Sequence, residues 1–292
     1  MNSTIEIRIG IKSNYLSRFL KKNQIGKVHA LFRSSFTIKW NDQLVHIGSM
    51  QQPLSAYGLA IVEDELKAIL AVVSLGDIVR LKAEEILLYA KGRLFRFPTR
   101  DYKSINLNIS DCMRKSPSPE WQLLKTELEK HNLLHASAVI QNEFDRSLIE
   151  ELMQKEIDST QEANRYISHF WGRGIGLTPS GDDFLIGYGM MQAVFVKQSY
   201  WMDALRGSLD KKTTTDVSEH YYISMLDGYI SAPFLELISA ASSGGEQEQI
   251  AIIIDKIMQF GHTSGLDTLL GIYTAICGKE ADARQKGLAE VI

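Results

Sequence analysis

Two short segments carry the residue types best suited to chemistry in this chain. One reads Ser180-Gly-Asp-Asp-Phe-Leu-Ile-Gly187, and the other reads Ser264-Gly-Leu-Asp-Thr-Leu-Leu-Gly271, with Ser, Gly, Asp, Leu and Gly in the same places. The second glycine of each copy costs about 1 kcal/mol relative to alanine inside a helix, so capping alone does not explain it. It lies two helical turns after its serine, on the same face. Small residues on that face predict close approach of another helix or of a ligand.

A glycine-rich run, Gly172-Arg-Gly-Ile-Gly-Leu-Thr-Pro179, leads directly into the first copy. Ser180 as N-cap and Asp183 three residues later form a short capping box, which predicts a helix start. The free N–H groups and the dipole of a helix start favour an anion, and Arg173 could bind the same anion. The run lacks the lysine of the P-loop pattern and the strand and acidic residue of the dinucleotide pattern. We predict two helix starts, related by a local pseudo-twofold, that face one pocket.

Each candidate side chain also has a plainer interpretation. Asp182 is not needed for capping, and together with Asp183 it is a candidate for a divalent cation site or a general base. In the plainer interpretation, both acids only compensate the positive end of the helix dipole. His262, beside the second copy, is a candidate acid or base or a loop histidine bonded to backbone. Arg173 is an anion ligand or an exposed loop residue. Thr213-Thr-Thr215, with Asp216 and Ser218, is a capped helix start or a further ligand contact.

Composition excludes several classes of protein. The 292 residues have a net charge of −3 and no long run of one sign, which argues against nucleic acid or an anionic membrane as partner. Two distant cysteines indicate a reducing compartment. Residues 1–10 lack an apolar segment of the signal-peptide kind, and residues 184–196 are too few to span a bilayer. We therefore predict a cytoplasmic protein.

Hydrophobic spacing changes along the chain. Ile5, Ile7, Ile9 and Ile11 alternate with polar residues as in one half-buried strand, and further short strands follow up to residue 97. After the proline pair of Ser116-Pro-Ser-Pro119 the apolar spacing becomes helical. The sequence predicts an α+β protein, with a β-rich N-terminal domain at residues 1–115, a small barrel or sandwich, and an all-helical domain at residues 116–292.

The run from Gly174 to Gly187, the threonine-rich helix start, and Gly261-His-Thr-Ser-Gly-x-Asp267 resemble, in the same order, motifs of the bacterial family that includes the AllH-type subunit of oxamate carbamoyltransferase. This subunit acts in anaerobic allantoin breakdown, a branch of purine catabolism. The resemblance implies phosphorolysis of oxalurate to oxamate and carbamoyl phosphate, in a complex with two other kinds of carbamoyltransferase subunit. The family as a whole is broader than this reaction, and the resemblance covers residues 172–271.

In such a reaction, preorganised donors would stabilise the charge that develops on the carbamoyl group. We expect these donors to be the N–H groups of Gly181 and Gly265, with Asp182, Asp183 or His262 handling protons. The candidate residues for binding a small anion, such as phosphate, carbamoyl phosphate or a ureide-derived acid, are Arg173, Gly174, Gly176, Thr178, Ser180, Gly181, Thr214, Thr215, Thr263, Ser264, Gly265 and Asp267. The alternative is a non-catalytic structural or ligand-binding subunit, in which the motifs only pack helices.

Overall fold

The computed structural model describes residues 4–112, 119–196, 198–211 and 213–287 of the chain. The chain divides into two compact units, one containing Met1–Asn108 with Tyr229–Ala232 and the other Ile109–Gly228 with Pro233–Ile292. The expected boundary between residues 115 and 116 and the adjoining residues 116–118 lie outside the described residues.

The first unit is built on one ten-stranded sheet. Its strands are β1 (Thr4–Glu6), β2 (Gly10–Ser13), β3 (Gln24–Leu31), β4 (Phe36–Trp40), β5 (Gln43–Ser49), β6 (Gly58–Ile61), β7 (Ile78–Lys82), β8 (Glu85–Ala90), β9 (Arg93–Phe97) and β10 (Lys103–Ile105). Helix α1 (Glu63–Leu70) and a 3-10 helix at Asn14–Arg18 belong to the same unit. The turn between β8 and β9 has positive φ at both Lys91 and Gly92, 40° and 74°. This geometry matches the right-handed twist of the flanking strands.

The strand order is β1-β9-β8-β7-β3-β4-β5-β6-β2-β10, so β1 and β2 lie near opposite margins of the sheet. Only residues 7–9 connect them, and such a connection spans at most about 14 Å. The sheet must therefore curl, and it forms a half-barrel. The prediction of one strand from Ile5 to Ile11 was wrong, because at Ile7 the chain leaves its pairing with β9 and then joins β6. Ile9, in the connection, is 61% exposed.

Strands β7 and β8 bury their side chains mainly at every second residue. On β7 and β8 the buried side chains include Val79, Leu81 and Leu88, whereas Ile78 and Arg80 point outward. Val79 lies opposite Leu88 in the antiparallel register. In this part of the sheet one face is buried, as the period-2 pattern indicates, whereas β4, β5 and β6 are buried at consecutive residues. The ten strands confirm the β-rich part of the predicted fold class.

The second unit is helical in its described residues. After a 3-10 helix at Ile109–Cys112, its helices are α2 (Pro119–Glu129), α3 (Leu133–Ala136), α4 (Glu143–Leu152), α5 (Thr160–Phe170), α6 (Ser180–Phe195), α7 (Tyr200–Leu209), α8 (Asp216–Leu226), α9 (Ala232–Ser242), α10 (Gln247–Met258) and α11 (Ser264–Gln285). None of the described helices combines the length and the apolar character needed to cross a membrane. The α+β fold class is confirmed.

Helix α6 occupies the centre of this unit. Its residues from Ser180 to Gln192 are all buried, as expected of a helix that is apolar on every side. It packs against α5, α7, α8 and, most extensively, α11. The first two turns of α11 are almost as buried. The two helices that carry the repeated motif are therefore also the core of the helical unit.

Candidate functional site

The glycine-rich run forms the loop between α5 and α6. Gly172, Gly174 and Gly176 have φ values of 66°, 122° and 100°, which residues with a Cβ rarely adopt. Ile175 and Leu177 alternate with these glycines and are 94% and 49% exposed. The loop thus places exposed backbone and two apolar side chains in front of the start of α6.

Each motif serine is the first residue of its helix rather than the N-cap. Pro179 holds the N-cap position of α6 and makes no side-chain hydrogen bond there, while the N–H of Asp183 donates to its carbonyl oxygen at 3.1 Å. In the second copy Thr263 holds this position, and the N–H of Asp267 donates to its carbonyl oxygen at 2.9 Å. The predicted capping box at Ser180 was therefore wrong, because a backbone oxygen already accepts from the N–H that the serine would have capped. The serine hydroxyls are left for other contacts.

The glycines that follow these serines serve packing. The N–H of Gly181 donates to the carbonyl oxygen of Arg173 at 2.8 Å, and that of Gly265 donates to Phe260 at 3.3 Å. A Cβ at either glycine would lie 1.9 Å from a backbone oxygen of the preceding helix. The prediction that these two N–H groups point at a ligand was wrong, since the tight turn into each helix uses them internally.

The two motif copies meet at their helix starts. The hydroxyl oxygens of Thr178 and Ser264 are 2.9 Å apart, so the approach to α6 touches the start of α11. Two turns further on, a Cβ at Gly187 would lie 2.1 Å from a backbone oxygen of α11, and one at Gly271 would lie 2.2 Å from a backbone oxygen of α6. The later glycines of the motifs therefore allow the two helices to touch backbone to backbone.

Asp182 is fully buried and well supplied with hydrogen-bond donors. Its Oδ1 accepts from the N–H of Gly172 at 2.8 Å and from the hydroxyl of Tyr222 at 2.9 Å, and its Oδ2 accepts from the hydroxyl of Thr214. Burial raises the pKa of Asp182, and the bonds from Thr214, Gly172 and Tyr222 work in the opposite direction. This carboxylate ties the glycine-rich loop and the start of α8 to α6.

Asp267, at the matching place in the second copy, is also fully buried. Its Oδ1 accepts from the hydroxyl of Ser137 at 2.6 Å and from the N–H of Ala138 at 2.8 Å. Its Oδ2 has no hydrogen-bond partner among the described residues. One oxygen of this carboxylate is thus anchored, and the other is left without a donor.

Asp183 lies beside it and is 94% buried. Its Oδ2 likewise has no partner in the described part of the chain. Burial raises the pKa of Asp183 well above its usual value, the hydroxyl of Ser264 opposes this, and the charge of Asp267 adds to it. The hydroxyl of Thr178 also favours the charged form. The first motif copy thus carries a buried carboxyl group whose pKa is raised in part by the acid of the second copy.

The threonine-rich segment lies against the glycine-rich loop. Thr215 is the N-cap of α8, where its hydroxyl oxygen accepts from the N–H of Ser218 at 3.1 Å. The same hydroxyl donates to the carbonyl oxygen of Leu177, and that of Thr214 donates to Asp182. The capping interpretation of this segment is confirmed, and the segment also holds the loop in place.

Arg173 forms an ion pair with a buried carboxylate of the protein itself. Its guanidinium donates to Oδ2 of the fully buried Asp145 at 2.8 Å and lies 2.7 Å from Nε2 of His169. Asp145 Oδ1 is 2.8 Å from the same His169 nitrogen. With its side chain 25% exposed and its charge paired with Asp145, Arg173 is a weaker anion ligand than the sequence suggested.

Asp145 and Ser137 are the site residues that sequence analysis missed. Asp145 is the third residue of α4, where its N–H bonds the side chain of the N-cap Asn142, so it looks like an ordinary acidic residue of a first helical turn. Ser137 follows a four-residue helix and belongs to no recognisable motif. Both act on partners far away in the sequence, and no local signal marks them.

His262 is exposed and makes no hydrogen bond to any described residue. Asp182 and Asp183, the candidate cation pair, take different hydrogen-bond partners. Within residues 4–112, 119–196, 198–211 and 213–287, no group of three or more histidine, cysteine, aspartate or glutamate side chains is arranged to hold a metal ion.

No solved structure matches this chain. A comparison with protein families finds a match over residues 170–276, from the last residue of α5 into α11. This segment contains the glycine-rich loop, the start of α8 and both motif copies, and it confirms the resemblance drawn from those motifs. Residues 170–276 match the family described as oxamate carbamoyltransferase subunit AllH.

Proposed function

We propose that this chain is a cytoplasmic subunit of an oxamate carbamoyltransferase-type complex. With other kinds of subunit, it would convert oxalurate and phosphate to oxamate and carbamoyl phosphate during allantoin degradation. The observation that carries the proposal is the family match over residues 170–276, because this segment supplies both helix starts that meet at Thr178 and Ser264. The partners would be the remaining carbamoyltransferase subunits and a small anionic substrate.

The anion would bind between the exposed glycine-rich loop and the starts of α6 and α11. The N–H groups of residues 174–178 donate to no other described residue, and two of these residues are glycines with positive φ. Successive free N–H groups in such a loop form a concave anion site, to which two helix dipoles would add. The hydroxyls of Thr178, Ser180, Thr263 and Ser264 would provide further hydrogen bonds.

Protons would move at the acids beneath these hydroxyls. Asp183 lies near both Thr178 and Ser264, and its raised pKa makes it a candidate for taking up and releasing the proton. His262 is exposed two residues before Ser264 and could exchange protons with solvent. Asp182 has donors on both oxygens, and these contacts favour a role in positioning the loop over direct proton transfer.

The alternative is a structural or ligand-binding subunit whose motifs only pack helices. Four motif glycines in direct contact with neighbouring backbone favour it, because close packing accounts for them without a ligand. It does not account for the unpartnered oxygens of Asp183 and Asp267, which packing alone would leave unfavourable.

Thermal unfolding of the chain, alone and in its complex, tests the anion site against phosphate, carbamoyl phosphate, oxamate and oxalurate. A ligand at 100 times its Kd stabilises the native state by about 2.7 kcal/mol. We expect Thr178→Val with Ser264→Ala to abolish the shift, and Ser243→Ala, at an exposed residue after α9, to preserve it. Equal shifts in both variants would place the ligand elsewhere, and the absence of any shift would favour the packing alternative.

A further inference from the structure

Arg173, His169 and Asp145 form a cluster in which two printed contacts compete for one atom. Nε2 of His169 lies 2.8 Å from Oδ1 of Asp145 and 2.7 Å from Nη1 of Arg173. A guanidinium only donates and an ionised carboxylate only accepts, whereas one ring nitrogen either carries a hydrogen or presents a lone pair. Nε2 therefore makes a hydrogen bond with Arg173 or with Asp145, but not with both at once.

The position of the ring hydrogen decides between two arrangements of the cluster. In the first, Nε2 has a lone pair and accepts from Arg173, which matches the observed position of the guanidinium. In the second, Nε2 carries the hydrogen, donates to Asp145 and repels the N–H group of Arg173. The ring is held by edge contacts with Phe144 and Phe170, at centroid distances of 5.1 and 4.8 Å. Because the side chain of His169 is 21% exposed, its hydrogen can exchange with water.

Asp145 keeps a donor on each oxygen in the second arrangement. Its Oδ2 accepts from the N–H of Gln141 at 2.9 Å, and its Oδ1 accepts from His169. Release of the guanidinium therefore leaves neither oxygen of this fully buried carboxylate without a hydrogen bond. The loss is confined to the ion pair between Asp145 and Arg173.

Arg173 lies next to a second set of groups that favour an anion. It directly precedes residues 174–178, whose N–H groups donate to no other described residue. Its side chain is 25% exposed, so it can leave the cluster by rotation about its own torsions while the backbone stays in place. The planar fork of a guanidinium matches two oxygens of a phosphate group.

We infer that Arg173 alternates between Asp145 and a phosphate-type anion at the glycine-rich loop, and that a hydrogen on Nε2 of His169 replaces it at Asp145. The competition at Nε2 depends only on the structure, and the anion to which Arg173 turns rests on the proposed function. Arg173 is then an anion ligand. Asp145 and His169 are positioning residues that act through it.

Nitrogen-15 NMR of the His169 ring tests the exchange without reference to activity, because a ring nitrogen that carries a hydrogen resonates apart from one with a lone pair. At mildly alkaline pH, we expect Nε2 of the wild-type chain to lack the hydrogen without phosphate and to carry it at saturating inorganic phosphate. Arg173→Met should place the hydrogen on Nε2 even without phosphate. Arg165→Met, at an exposed arginine paired with Glu151, should leave the ring unchanged. The same Nε2 state in wild type and Arg173→Met would overturn the competition.

Phosphate affinity distinguishes an anion ligand from a structural ion pair. Arg173→Met should weaken the binding of inorganic phosphate about tenfold or more, as expected when a hydrogen bond to a charged group is lost. Asp145→Asn should instead tighten it, because Arg173 no longer has a competing carboxylate. A purely structural ion pair would give no such opposite effects. Unchanged affinity in Arg173→Met would refute the anion role of Arg173, and if Asp145→Asn does not fold, this comparison decides alone.

Failure of the inference and failure of the proposed function give different results. If the wild-type chain and its complex do not bind phosphate, the alternation is refuted together with the anion site. If the complex binds phosphate and Nε2 gains its hydrogen, but oxalurate is not converted, the proposed reaction is refuted and the alternation of Arg173 stands. If phosphate binds and Nε2 does not respond, the alternation is refuted and the anion site stands.

Discussion

Replacing Gly271 by alanine tests the contact that brings the two motif copies together. The added Cβ would lie 2.2 Å from the carbonyl oxygen of Phe184 and 2.7 Å from the nitrogen of Tyr188. Ordinary contact begins at 3.4 Å, so the shortfall is about 1.2 Å at the oxygen. Both atoms belong to the backbone of α6, so no side-chain rotation can relieve the clash.

The expected loss of stability is the difference between two effects. Overpacking a core costs about 1–3 kcal/mol, and α6 is buried on all sides, which points to the upper end. Alanine recovers about 1 kcal/mol of helix propensity relative to glycine. We expect Gly271→Ala to lower the free energy of unfolding by about 2 kcal/mol. For a unit of this size, that lowers Tm by roughly 4–8 °C.

Gly207→Ala is the matched control. Gly207 lies within α7, is exposed, and has no atom within 4 Å of a Cβ placed on it. The same substitution should therefore raise stability by about 1 kcal/mol. Urea unfolding followed by circular dichroism measures both variants. If Gly271→Ala proves as stable as wild type, or shifts in the same direction as Gly207→Ala, α6 and α11 do not touch as described.

Three further predictions concern the residues around the site. Asp145→Ala should destabilise the chain by about 2–4 kcal/mol in urea unfolding, because it leaves the partners of a buried carboxylate unpaired. Arg165→Ala, which removes an exposed ion pair, should cost less than about 1 kcal/mol. Similar losses in the two variants would contradict the buried contacts of Asp145 with Arg173 and His169. Thr215→Ala removes a helix cap and should cost about 1–2 kcal/mol, while Thr263→Ala, which lacks a cap bond, should cost little; the reverse ranking in thermal unfolding would refute the assigned helix starts. The pKa of Asp183 is raised in the folded protein. Its contribution to the free energy of unfolding is therefore fully present below the unfolded pKa of about 3.9 and is lost as pH rises toward the native pKa, with a slope approaching about 1.4 kcal/mol per pH unit. Between pH 4 and 8 the free energy of unfolding should therefore fall less steeply with pH for Asp183→Asn than for wild type. Parallel curves for the two proteins would exclude this effect.

Local patterns in the sequence were sufficient for the fold class and for the repeated motif. Alternation of apolar residues depends on which face of a strand is buried, and this is set within a few residues. The matching glycines Gly187 and Gly271 also predicted close approach of either another helix or a ligand, because glycine is costly in a helix that does not need it, and the structure shows the helix.

The tertiary structure alone decided which partner each polar group takes. The sequence assigned Ser180 to capping, but the carbonyl oxygen of Pro179 accepts from the N–H that Ser180 would have capped. It assigned the N–H of Gly181 to a ligand, but this N–H donates to the carbonyl oxygen of Arg173. The pairing of Arg173 with Asp145 joins residues that no local pattern connects. Hydrogen-bond partners are fixed by distance in space, and packing brings together groups that lie far apart along the chain, so residue types and spacing can identify candidate groups but cannot say which of them remain unpaired.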